Sequence, residues 1–218
     1  PRKTRLLVVG AGALGVFVGL VLAHLGYARI PLMDADTVDV TNLNRQALFY
    51  DALGESKAKA LSRKLNEFFG ISSEAVVQDF TRITDISPFD AVFDCVDNFE
   101  SRIVISEKCK DAGKVLIGGG TSVDAGQVVI FNPALGGATP AELLGLYDIV
   151  AGRGSEALPR AEASCIRQPD PSVIMTNQIT AGFMVESYRM VESGLNPENI
   201  FYDSRNKRKI LQERSYFS

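Results

Sequence analysis

Short, unbroken apolar runs alternate along the chain with stretches of helical period. Arg5–Val9 ends on Leu6-Leu7-Val8-Val9, apolar at every position. Such a run suits a strand covered on both faces of a parallel sheet. Ile30–Met33 and Asp90–Val96 read the same way, and Val76 and Val77 mark a third, weaker strand between them. Val16–Leu25 is apolar nearly all round, which predicts a helix covered on several sides. Lys57–Phe69 places Ala58, Leu61, Leu65 and Phe68 on one helical face and stops at Gly70. Glu100–Ala112 is a further helix, closed by Gly113. Val115–Ile117 then runs into Gly118-Gly119-Gly120, and Gln127–Phe131 follows after only a short turn. That pair is expected to be antiparallel, because a parallel partner needs a long crossover. The pattern predicts an α/β protein with a doubly wound, Rossmann-like, mostly parallel sheet and antiparallel C-terminal strands.

The C-terminal third is less periodic. Residues 132–165 are rich in Gly, Ala and Pro, with one candidate helix over Pro140–Tyr147, and predict a mobile crossover loop. A long helix is expected from Asp170-Pro171 to Glu192, closed by Gly194. Ile200–Tyr202 and Lys209–Leu211 suggest a closing hairpin around Ser204–Lys207. The whole of 1–218 reads as a single domain.

Composition narrows the class only modestly. A net charge of -3 offers no global basic field, so nucleic acid is not an expected partner. The longest apolar run, Leu14–Leu25, is too short to span a bilayer and no signal peptide is read before it, so a soluble, cytoplasmic protein is expected. The chain opens at Pro1 almost directly on a strand. Cys95, Cys109 and Cys165 form no Cys-x-x-Cys, which suggests neither a disulfide framework nor zinc.

The candidate chemistry gathers early. Gly10-Ala-Gly-Ala-Leu-Gly15 sits between a strand and a helix, where glycines let backbone N–H groups and the helix dipole meet a phosphate. Asp34 ends the next strand, where a ribose-binding acid belongs, with Asp36 as a supporting acid. Arg45 and Lys57 lie in a polar connection that returns toward the glycine turn. They are either solvated surface charges or cations that neutralise phosphate during nucleophilic attack. Asp97 stands at the carboxyl end of an apolar strand and is either a helix cap or a magnesium ligand. Cys165 precedes a helix and lies near Arg167, both of which favour a thiolate; an inert buried thiol is the alternative.

GAGALG, DADTVDVTNLNRQ, GESK and DAVFDCVDNFESR together resemble the ThiF/MoeB superfamily, which includes the adenylation domain of ubiquitin-activating enzymes. The resemblance covers Leu6 through Glu192, including SVDAGQVVIFNP and SCIRQPDPSVIMTNQITAGFMVES. It implies that the C-terminal carboxylate of a ubiquitin-like or sulfur-carrier protein, ending Gly-Gly, is adenylated with ATP and Mg²⁺. By motif position Gly10, Gly12 and Gly15 form the nucleotide loop and Asp34 holds the ribose. Asn42, Arg45 and Lys57 contact phosphates, Asp97 holds magnesium, and Cys165 takes over the activated carboxyl or sulfur. The family implies a homodimer with the first helix near its interface, and a conjugating enzyme or sulfurtransferase acting in trans. Three departures stand out. A zinc-binding Cys-x-x-Cys pair, the family's N-terminal helix with its arginine, and any attached ubiquitin-fold, rhodanese or catalytic-cysteine domain are not found in this sequence.

Other readings compete with this one. The glycine turn and Asp34 alone would also serve an NAD-dependent oxidoreductase, although Arg45, Lys57 and Asp97 would then have little purpose. A non-catalytic scaffold half of a heterodimeric activator and an enzyme that adenylates a tRNA-bound carboxylate are further alternatives. The basic stretch Arg205–Lys209 keeps the last of these open.

Overall fold

The computed structural model describes residues 2–152, 173–205 and 211–213. Its elements in chain order are β1 (Arg2–Val9), α1 (Ala13–His24), β2 (Tyr27–Arg29), β3 (Leu32–Met33), α2 (Lys57–Phe69), β4 (Ala75–Val76), β5 (Ala91–Asp94) and α3 (Phe99–Asp111). They continue with β6 (Val115–Thr121), β7 (Ala125–Phe131), α4 (Pro140–Leu143), α5 (Leu146–Val150), α6 (Ile174–Glu192), β8 (Ile200–Asp203) and β9 (Leu211–Glu213). The strands order as β4-β3-β1-β5-β6-β7-β8-β9, with β2 also paired to β1. Pairing is parallel from β4 to β6. From β6 to β9 it is antiparallel. This is the doubly wound, mostly parallel sheet with antiparallel C-terminal strands that the apolar pattern predicts.

β1 shows why the pattern works. Leu6 and Val8 join the core on the α1, α2 and α6 side, while Leu7 and Val9 join the core on the α3 side. None of the four is more than 2% exposed, so both faces of the strand are covered. Each such side chain contributes about 1.5–3 kcal/mol of hydrophobic stabilisation. α1 is apolar all round because α2 and α6 cover it within the chain. Its apolarity is therefore accounted for without a dimer interface.

Several boundaries differ from the sequence expectations. The strand read as Ile30–Met33 is only β3, Leu32–Met33, and a further short strand, β2, precedes it, the two separated at Ile30-Pro31, where proline has no N–H for the ladder. α1 begins at Ala13, inside the glycine motif, rather than at Val16. Phe68 is 60% exposed, and Phe69 packs on the core in its place. After Leu65 the helical phase favours the fourth residue over the third. Gly145 adopts a left-handed conformation and divides the single helix expected over Pro140–Tyr147 into α4 and α5. α6 begins at Ile174 with Val173 extended before it, whereas the expected start at Asp170-Pro171 lies outside the described residues. Residues 153–165 of the expected loop, Cys165 among them, together with Arg167 and residues 206–209 of the basic stretch, also lie outside them.

Candidate active site

The glycine turn is shaped by close backbone approach. Gly10 has φ +92°, and a Cβ there would stand 2.8 Å from the Cys95 carbonyl oxygen. No other residue fits without displacing β5. Gly12 is the N-cap of α1 and offers no side-chain cap. The first-turn N–H groups of that helix are thus left for an anion. Gly15 serves differently from the sequence expectation. It does not line the cavity; a Cβ there would lie 1.8 Å from the Gly10 carbonyl oxygen, so its role is to let the helix sit on the turn.

Asp34 follows β3 and braces this turn. Its Oδ2 accepts from the Ala11 N–H at 2.7 Å and its Oδ1 from the Asp36 N–H at 2.8 Å. Each oxygen keeps a free lone pair for a ribose hydroxyl. Burial pushes the carboxyl above its ordinary value, against the pull of those two N–H groups and the Lys57 charge. Lys57 is the first residue of α2, with its ammonium 2.7 Å from Asp36 Oδ2. The lysine side chain is 9% exposed and the aspartate 71%. Lys57 therefore spends one of its three donors on Asp36 and keeps two. Arg45 is held by donating to the Thr41 carbonyl at 3.1 Å and to Asn44 Oδ1 at 3.0 Å. Asn42 is not brought to the cavity. Its Oδ1 accepts from the Asp39 N–H, closing a capping box on the short turn Val40–Asn42.

At the end of β5, Asn98 caps α3 by accepting from the Ser101 N–H at 2.8 Å. The cap role open to Asp97 is thereby taken by its neighbour. Asp97 is exposed and makes no hydrogen bond or ion pair with another described residue. Beneath it lies a pair that sequence reasoning missed. Asp94 is fully buried, and Arg102 stands 3.8 Å away with 7% of its side chain exposed. Burial raises the Asp94 carboxyl, opposed by the Arg102 guanidinium and the Val96 N–H. The signal was present: an acid inside the apolar run Ala91–Cys95 needs a buried partner, and Arg102 closes the DNFESR stretch. Cys95 and Cys109 are buried thiols, both pushed up by burial, Cys109 to about 12.

These groups converge on one cavity of about 530 Å³ at the carboxyl ends of β1, β3, β5 and β6. Gly10, Gly12, Asp34, Asp36, Arg45, Lys57 and Asp97 all line it. Gln46, Phe80, Thr121, Gln127 and Asn177 do so as well and were not foreseen. Gln46 is 5% exposed and its side-chain oxygen has no partner among the described residues, while its side-chain nitrogen is the atom nearest Gly12. The described lining carries four carboxylates (Asp34, Asp36, Asp79 and Asp97) against three cations (Arg45, Lys57 and Arg102). The volume suits a nucleotide-sized ligand. The unpartnered Asp97 suits a magnesium ion, which takes one or two carboxylates and completes its shell with phosphate and water.

Comparison with known proteins gives a consistent result. The family model for the ThiF family matches residues 2–190. The molybdopterin-synthase adenylyltransferase of Haemophilus influenzae is 35% identical over 136 residues, 60% of this chain and 56% of that protein. The sulfur carrier protein adenylyltransferase of Thermus thermophilus is 32% identical over 142 residues, 62% of this chain and 52% of that protein. The chain thus matches only about half the length of these two relatives. Among solved structures, E. coli MccB with AMPCPP and MccA superposes with a TM-score of 0.75 at 20% identity, covering 99% of this chain and 65% of that one, a likeness of fold.

Proposed function

This chain belongs to the ThiF family, and from that premise we propose that it is a single adenylation domain that activates the C-terminal carboxylate of a ubiquitin-like or sulfur-carrier protein with ATP. The observation that carries the proposal is the convergence of the glycine turn, Asp34, Arg45, Lys57 and an unpartnered Asp97 on one cavity. An oxidoreductase would need the first two and has no use for the rest.

The chemistry asks for positioning more than for acid–base catalysis. A carboxylate is ionised at neutral pH and is already a nucleophile. Its oxygen bonds to the α-phosphorus of ATP, the bond from that phosphorus to the bridging oxygen breaks, and the electron pair leaves with pyrophosphate. Asp34 holds the ribose and the α1 N-terminus receives phosphate oxygens. Arg45 and the two spare donors of Lys57 offset the repulsion between carboxylate and phosphate. Magnesium held by Asp97 would add charge neutralisation at the phosphates. Cys165 is proposed to receive the activated group. The protein is proposed to act in the cytoplasm as a homodimer, with a conjugating enzyme or sulfurtransferase acting in trans. No described helix is long and apolar enough to cross a membrane.

The test is isotope exchange between ATP and pyrophosphate in the presence of small carrier proteins ending Gly-Gly. Exchange that depends on magnesium and on the tail, and disappears in Asp97→Ala with the fold intact, is expected. Full exchange in that variant, or thermal protection by NAD rather than by ATP with magnesium, overturns the reading.

A further inference from the structure

Parallel pairing between β5 and β6 ends at Asp94↔Gly118. Beyond that pair the two strand ends part, and the cavity opens between them. Arg102 fills the fork. Its Nη2 donates to the Val96 carbonyl at 2.6 Å, on the β5 side, and to the Gly119 carbonyl at 2.5 Å, on β6. The Val96 carbonyl belongs to the peptide unit whose nitrogen is that of Asp97, so the bond fixes the plane from which Asp97 projects. The other side of Val96 is held too: its N–H donates to Asp94 Oδ1 at 3.1 Å. Val96 therefore has both backbone polar groups tied to side chains rather than to a strand ladder. Asn98 takes the cap on the other flank. Among the described residues, Asp97 is the member of this turn whose side chain makes no hydrogen bond or ion pair.

We infer that Arg102 is a positioning residue, which straps the Asp97 turn to β6 so that the carboxylate is presented at fixed geometry to a divalent cation. The inference rests on the proposed role of Asp97. The guanidinium suits this task and an ammonium does not. Its Nη2 holds both carbonyls while a second nitrogen, Nε, stays 3.8 Å from Asp94 Oδ2, a span between two separate nitrogens that the single ammonium on lysine's shorter stem cannot cover. Asp94 anchors the fork from below. Removing Arg102 outright would leave a buried carboxylate unpaired, so the informative substitution is Arg102→Lys, which keeps the charge and loses the double strap.

The experiment titrates Mn²⁺ by electron paramagnetic resonance into the full chain saturated with a non-hydrolysable ATP analogue. It compares wild type, Asp97→Asn, Arg102→Lys and Asp94→Asn. Arg102→Lys is expected to weaken Mn²⁺ about tenfold or more, the usual effect of loosening the support behind a ligand. AMP affinity measured without metal should stay unchanged in that variant. Asp94→Asn, which keeps an acceptor for the Val96 N–H, should give a smaller loss of the same kind and serves as the arm to read if Arg102→Lys does not fold. Mn²⁺ affinity equal to wild type in the folded variants overturns the inference. So does an equal loss of AMP and Mn²⁺ binding, which would mark Arg102 as merely structural. If wild type and Asp97→Asn bind Mn²⁺ alike, the metal role of Asp97 fails instead, a distinct outcome.

Discussion

Two glycines of the turn, Gly15 and Gly12, should separate cleanly into one that serves stability and one that serves binding. Consider Gly15→Ala. The new methyl would meet the Gly10 carbonyl oxygen at 1.8 Å and its carbon at 2.9 Å, both backbone atoms of a turn pinned to β5. Ordinary contact begins near 3.4 Å, so α1 and the turn must part by more than an ångström. Overpacking of a tight site costs about 1–3 kcal/mol, and a rigid neighbour puts this case at the upper end. With a urea dependence of about 2 kcal/mol per molar, the unfolding midpoint should fall by about 1–1.5 M. Gly12→Ala is the contrast. The nearest atom to its Cβ is the Gln46 side-chain nitrogen at 3.6 Å, an ordinary contact, and φ is −83°. The midpoint should stay within about 0.5 M of wild type, since alanine also restricts the unfolded chain. The methyl would nonetheless stand at the mouth of the helix N-terminus, where phosphate oxygens must come close. Protection by ATP in a thermal scan should therefore vanish in Gly12→Ala. A Gly12→Ala protein protected by ATP as well as wild type, or a Gly15→Ala protein with an unchanged midpoint, would refute the assignment of the turn.

Lys57→Met should leave stability within about 1 kcal/mol, because its partner Asp36 is exposed and rehydrates when freed; ATP–pyrophosphate exchange should fall about a hundredfold or more, and a rate within a few-fold of wild type would contradict the phosphate role. Because burial raises the Asp34 carboxyl above 3.8 in the folded chain, the free protein loses stability as pH rises from 3.8 through that folded value. AMP affinity should gain over the same window as the ionised acceptor forms, so urea midpoints and calorimetric titrations across the acidic range should show opposite slopes that Asp34→Asn flattens.

What was legible in the sequence is what depends on near neighbours. The buried strands showed as runs without polar interruption, and Asp34 was fixed by counting from a strand end. The helix stops at Gly70 and Gly113 needed only a residue that accepts a left-handed turn, which both glycines adopt. What escaped depends on contacts far along the chain or on helical phase. Asp36 and Lys57 were both singled out, but their union across 21 positions was not. Whether Asp97 or Asn98 caps α3 turns on a single residue of phase. Asn42 carried a motif position and is spent on a local capping box. The Arg102 strap joins residues 6 and 17 positions away, across a strand fork that no periodicity announces.

The surplus of acid around the cavity reaches beyond substrate capture. A bare triphosphate approaches a wall that repels it on balance, so the chelated nucleotide is favoured over the free anion before any shape is tested. The same wall favours turnover. In the proposed reaction the acyl-AMP would carry a single negative charge and stay anchored through its ribose at Asp34, while the more highly charged pyrophosphate, no longer joined to that anchor, would face Asp79 and Asp97. Release of one product and retention of the other would then follow from the difference in charge and the ribose anchor, without a moving gate.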